Sequence, residues 1–179
     1  MTGCAAGFRC HTGWAVLIVA AGSAGSPVVL DRRRVELVDG SLPRQPYHAV
    51  AEAGWPRTVI DEVAQQARDA VTAALRSVGP ADTVGVVATE RRIRSSLDRI
   101  LASHALLHAA EGQLFERAVI EAADDAGVPV HVVDPRSLTV PATVETLGRS
   151  LGPPWQKDHK WATTAALLAL APAEPPEPA

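Results

Sequence analysis

Two short runs limit the fold more than anything else in the chain: residues 83–88 (TVGVVA) and 128–133 (VPVHVV). The first is almost entirely apolar, which predicts a strand buried on both faces. The second carries one polar side chain, His131, read as a satisfied structural residue, and predicts another strand. Each run follows a segment with helical spacing. In residues 57–78 the apolar positions Val59, Val63, Ala67, Ala70, Val71 and Ala74 share one face, Asp61 and Glu62 lie in the first turn, and Gly79-Pro80 ends the pattern. Residues 101–126 also read as a helix, with Leu107, Leu114, Ala118 and residues 120–122 as core candidates and Gly127 as the stop. Strands entered from crossover helices lie parallel to a neighbour, and such a sheet needs helices over both faces.

The start of the chain is built differently. Residues 13–22 (GWAVLIVAAG) predict a buried strand and residues 22–27 (GSAGSP) a turn. Residues 28–30 and 35–38 bracket Asp31-Arg32-Arg33-Arg34, as one long bent strand or two short ones. Strands joined by so short a turn are antiparallel. Residues 41–56, with three prolines, Tyr47 and Trp55, read as a loop, and the charged residues 90–99 as the opening of a helix. Residues 142–151 and 157–171 read as helices separated by Gly152-Pro153-Pro154. The expected class is α/β: a mixed sheet, antiparallel first and then parallel, with helices on both faces. It forms a single domain over residues 1–171, followed by a disordered Pro/Glu tail, residues 172–179 (PAEPPEPA).

With 47% hydrophobic and 21% charged residues, a 179-residue chain needs neither disulfides nor a metal to build a core. Its net charge of −3 excludes a generally basic nucleic-acid coat but allows a local basic patch. Cys4 and Cys10 form no CxxC pair and read as reduced thiols. The longest apolar run, residues 14–21, is too short to span a bilayer and lacks a convincing cleavage site, so a cytoplasmic protein without membrane contact is expected.

Four segments, in order, carry a resemblance: residues 3–16 (GCAAGFRCHTGWAV), 84–90 (VGVVATE), 127–135 (GVPVHVVDP) and 157–170 (KDHKWATTAALLAL). With them, most of residues 3–171 resembles the ribonuclease-H-like fold, and within it the bacterial Holliday-junction resolvases. That family opens with a strand, Asp-Pro-Gly, and then Thr-Gly-Tyr or Thr-Gly-Trp before a second strand. Thr12-Gly13-Trp14 fits the second part, while Ala5-Ala6-Gly7 stands where Asp-Pro-Gly would be. Glu90 matches the family's catalytic Glu at the end of an apolar strand, and Asp158 an acidic residue of the last helix. The resemblance implies metal-dependent phosphodiester hydrolysis, with carboxylates holding two Mg²⁺ ions. Ala5 has no ligand atom, and Trp161 stands where another acid would lie. The implied protein is resolvase-like with a degenerate active site, its remaining catalytic candidates being Glu90, Asp158 and Lys160.

His104, His108 and Glu111 (SHALLHAAEG) are spaced to share one helical stripe. If the resemblance holds, His11, Asp158, His159 and Lys160 face the same carboxyl edge of the sheet, where open α/β sheets bind ligands. Two imidazoles with carboxylates suit Zn²⁺, Mn²⁺ or Fe²⁺ better than Mg²⁺. A divalent metal (Mg, Mn or Zn) held by His11, His104, His108 and Glu111 is one reading. A homodimer interface, a hydrogen-bonded polar cluster or plain surface are the others. His48 reads as a solvated loop residue or a loop contact to a ligand.

Arginines concentrate at Arg32-Arg33-Arg34 and at Arg91, Arg92, Arg94 and Arg99. Arg32 and Arg34 share one strand face. With Arg91, Arg92 and Arg94 they are candidates for phosphate contacts to structured DNA or RNA. The competing reading pairs them with Asp31, Glu36, Glu90 and Asp98 as a solvated face. Trp14, Trp55, Trp155 and Trp161 read as core or interface residues, or as stacking platforms for bases. Three functions follow: a nucleic-acid-binding domain with or without a remodelled metal centre, a homodimeric interaction scaffold using the long helix, and a small-molecule or metal-binding enzyme of unnamed reaction.

Overall fold

The computed structural model describes residues 3–89 and 92–171. Glu90, Arg91 and the 172–179 tail therefore lie outside the described residues. Strands β1 (Cys4–His11), β2 (Trp14–Ser23) and β3 (Ser26–Glu36) form an antiparallel meander. β3 is one continuous strand with one extra residue, Leu30, where its register against β2 shifts between Val19 and Ala20. Helices α1 (Pro46–Ala53) and α2 (Thr58–Ser77) lead to β4 (Thr83–Val87), which lies parallel to β1. Helices α3 (Leu97–Leu101) and α4 (His104–Asp125) lead to β5 (Val130–Val133), parallel to β4. Short helices α5 (Ala142–Thr146) and α6 (Gly148–Leu151) precede α7 (Lys157–Leu170). The sheet order is β3-β2-β1-β4-β5, the mixed α/β sheet expected from the sequence.

The two-residue period of β1 sorts its side chains between the layers. Ala6, Phe8 and Cys10 enter the core beneath α2 and α4, with Leu17, Val63, Val71, Phe115 and Val119. Ala5 faces the other way and packs with Val16, Ile18, Ala162 and Ala166 under α7. Gly7 and Gly85 lie where α7 crosses the sheet. A Cβ on Gly7 would come within 1.9 Å of the Ala162 carbonyl oxygen, and one on Gly85 within 2.1 Å of that of Ala165. The missing side chains are what let the alanine-rich helix approach so closely.

Several local expectations are corrected. Residues 41–56 are not all loop: Pro46 occupies the first turn of α1, and Gly54 closes it in the left-handed conformation. The charged stretch enters a helix only at its end, residues 97–99, in the short α3. Residues 92–96 are irregular, Ser96 caps the separate α3, and α4 starts only at His104. The 142–151 helix is two short ones. His131 is exposed on β5, a strand at the sheet edge. Much of the apolar side of α4, including Leu114, Phe115, Ala118 and Val119, joins the core shared with α2 and the sheet, so this side is not free to form a dimer face. Both cysteines are free thiols. Among the described residues no helix is long and apolar enough to cross a membrane.

Candidate functional site

Because β1, β4 and β5 are parallel, their carboxyl ends share one edge of the sheet. Residues 5, 7, 9 and 11 of β1 point to the α7 side, so the strand delivers Arg9 and His11 beside the first turn of α7. Arg9 Nε lies 3.8 Å from Asp158 Oδ1, and His11 Nε2 lies 3.0 Å from Asp158 Oδ2. These are ion-pair distances without hydrogen-bond alignment: both nitrogens are buried and have no hydrogen-bond partner among the described residues. The His11 ring stacks on Trp14 at 4.2 Å between centroids. Trp161, one turn along α7 from Asp158, is flanked by Arg9 at 5.4 Å and Lys157 at 4.1 Å from its ring centre.

A second carboxylate approaches the same edge from α4. Glu116 accepts a 3.3 Å hydrogen bond from the Thr89 backbone N–H. Burial pushes its pKa up, partly offset by the Thr89 hydrogen bond and the Arg9 charge, while nearby Asp134 raises it further. Neighbouring Cys10 is sealed from water, and burial pushes its thiol up to about 12, so it is no nucleophile.

Among the described residues the catalytic candidates Asp158 and Lys160 do not come together. Ala5, the second residue of β1, is fully buried, and the β1 residues that meet Asp158 are Arg9 and His11. Lys160 does not join Asp158: two helical positions apart, they point in nearly opposite directions. Lys160 instead pairs with Glu145 of α5. His159 is used locally, its Nδ1 accepting from the Gln156 N–H at the helix start, and burial lowers its pKa, followed by the charge of Arg32. Glu90 lies outside the described residues. Among the described residues a guanidinium, that of Arg9, stands against the Asp158 carboxylate.

The stripe on α4 gathers as expected, but not with His11 and Asp158. No hydrogen bond, ion pair or ring contact joins the two groups among the described residues. His104 Nε2 and His108 Nε2 lie 3.0 Å apart. His48, from α1, completes the cluster, 4.8 Å from the His108 ring and 5.8 Å from the His104 ring. Glu111 turns inward, 2% exposed. Its Oε1 accepts from the His48 backbone N–H at 3.1 Å and lies 3.1 Å from His48 Nδ1. It thereby caps α1, whose own N-cap Gln45 makes no side-chain cap. Burial raises the Glu111 pKa, and these His48 hydrogen bonds oppose the rise.

The arginines divide. Arg32 donates to the Gly152 and Pro154 carbonyls at 2.9 and 2.7 Å, fastening the segment ahead of α7. Arg33 pairs with Asp31, and Arg34 pairs with Glu36 while lying over the Trp14 ring. Arg34 is thus paired with an acid of its own strand, whereas the Arg32 guanidinium is engaged by backbone carbonyls. Arg92 and Arg94 are different. With Arg99 and Arg136 they are exposed and line a cleft of about 1060 Å³, together with Thr89, His108 and Glu116. None of the four forms an ion pair among the described residues. Arg91 lies outside them. Trp14 and Trp155 pack under α7, Trp161 packs near Val87, and Trp55 is exposed.

Sequence reasoning missed Arg9, Glu116, Arg136 and the place of His48 in the cluster. Arg9 was legible as the last inward position before His11. His48 was not, since only the packing of α1 on α4 brings it there.

The chain is similar in fold to a solved structure of T. thermophilus RuvC in complex with a Holliday junction substrate. The likeness covers 92% of this chain and 90% of that chain, with a TM-score of 0.58 and 18% sequence identity. The fold is ribonuclease-H-like. Arg9 and Asp158 face each other at the carboxyl edge of the central strands. No protein-family model and no curated protein matches the sequence.

Proposed function

We propose that this ribonuclease-H-like protein binds structured DNA or RNA in the arginine-lined cleft and does not cleave it by the two-metal route. The observation that carries the reading is the cleft itself: Arg92, Arg94, Arg99 and Arg136 gather at the carboxyl edge of the sheet on a chain of net charge −3. Guanidinium groups position a phosphate backbone without reading its sequence. The shared fold with RuvC, described with a Holliday junction substrate, makes a branched duplex the first ligand to try. Arg9 supports the non-hydrolytic half of the reading. Its fixed positive charge beside Asp158 offers the compensation that a divalent ion would otherwise give.

A gel-shift assay with a four-way junction at two salt concentrations, with and without Mn²⁺, tests both halves. Four phosphate contacts predict a slope of log K against log salt of about −3 to −4. No shift at micromolar protein overturns binding. Cleavage in Mn²⁺ overturns the non-hydrolytic half and favours the second reading, a remodelled metal-dependent nuclease. That reading rests on Asp158, Glu116 and Asp134 sharing one edge.

A further inference from the structure

We propose that His48, His104 and His108 form a binding site for one divalent transition-metal ion of the Zn²⁺ class. Each offers one ring nitrogen, and the three nitrogens lie within 4.8 Å of one another. Bonds of about 2.0–2.1 Å to a tetrahedral Zn²⁺ set neighbouring nitrogens about 3.3 Å apart. The 3.0 Å between His104 Nε2 and His108 Nε2 already matches that edge. Both histidines are exposed on the first turns of α4 and need only small rotamer changes to admit an ion.

The third ligand is oriented in advance. His48 Nδ1 is held by Glu111 Oε1 at 3.1 Å, which leaves Nε2 as its free nitrogen. A carboxylate behind a histidine fixes the ring and strengthens it as a ligand. The second oxygen of Glu111, Oε2, is buried without a hydrogen-bond partner among the described residues. A nearby divalent charge compensates it. Three imidazoles and no direct carboxylate favour a nitrogen-preferring ion over Mg²⁺. The fourth position opens to solvent beside His108, which also lines the arginine cleft. The ion thus clips α1 to α4 and leaves one exchangeable place for water or a phosphate oxygen.

The competing description is a hydrogen-bonded histidine pair with Glu111 serving only as the cap of α1. Metal-stripped protein titrated with Co²⁺ separates the two. The expected result is one Co²⁺ per chain, the visible absorption of a four-coordinate ion, and its displacement by Zn²⁺. His104→Ala and His108→Ala sit at exposed positions, and circular dichroism checks that they fold; each should abolish the spectrum. Glu111→Gln keeps an oxygen to accept the His48 N–H and should weaken binding about 10–100-fold, as loss of a ligand-orienting carboxylate does. Absence of a four-coordinate cobalt spectrum in the parent protein overturns the proposal, as does unchanged binding in the His104→Ala/His108→Ala pair. The measurement needs no nucleic acid, so it can fail while the binding function proposed above stands.

Discussion

Two clusters of titratable groups answer the same electrostatic problem in opposite ways. Where β1 meets α7, Asp158 faces a cation that belongs to the chain, Arg9, with His11 beside it. Where α1 meets α4, three imidazoles converge in front of a buried carboxylate, Glu111, and the positive charge would come from outside. The first arrangement brings its compensating cation with the chain. The second has nitrogen lone pairs to offer and a carboxylate whose burial raises its pKa. The difference teaches that a carboxylate can be compensated from within the chain or can sit behind unused ligand atoms, according to which element packs against it.

The sharpest way to break this contrast is to move α7 alone. Gly85→Ala puts a methyl group 2.1 Å from the Ala165 carbonyl oxygen, far inside contact distance. It should cost roughly 3 kcal/mol, the upper end for overpacking, read as a lower urea midpoint. Cobalt binding at the histidines should survive under folding conditions; loss of both together would show the two regions to be one unit. Arg9→Ala comes next. Its pair with Asp158 is about three-quarters buried on each side, so the expected loss is about 1–2 kcal/mol, between exposed and buried pairs. If Arg9 stands in for an ion, added Mn²⁺ should stabilise Arg9→Ala more than the parent in a thermal melt. Equal shifts would sink that idea.

Arg94→Ala should leave stability within about 0.5 kcal/mol, as surface changes do. In the junction-binding assay it should reduce the salt slope by about 1, and an unchanged slope would remove Arg94 from the interface. The smallest effect concerns Glu116. Its folded-state pKa is raised above the usual 4.5, chiefly by burial. A raised value means that the folded state holds the proton more tightly. The stability this contributes is full below pH 4.5 and is lost as pH rises through the folded-state value. Glu116→Gln should therefore flatten the urea-midpoint profile between pH 4.5 and neutrality. A profile as steep as the parent's would show that another group controls it.

Much of the scaffold was legible because periodicity and stop signals agreed. Helix α2 showed a clean three-to-four spacing ending at Gly79-Pro80, and β4 an apolar run with no room for a solvent face. Helix α1 was hidden by its prolines: three in a short stretch suggested a loop, although Pro46 at the helix start and Gly54 at its end are a helix's own punctuation. The break between α3 and α4 was hidden for the opposite reason, since the apolar spacing runs on across Ala102 and Ser103. In the candidate site, the pairing of His104 with His108 followed from a spacing of four. The inward turn of Glu111 did not, because a surface stripe and a capping carboxylate share that spacing.

The sequence alone determined where most of the strands and the longer helices lie and that the sheet is mixed. These depend on periods of two and 3.6 residues and on the reach of short turns, all local quantities. Tertiary structure decided that Arg9 meets Asp158, that Lys160 turns to Glu145, and that His48 reaches His104 and His108. Such pairings depend on how closely α7 can cross two glycines and where α1 lands on α4, and both are set by packing between segments far apart in the chain.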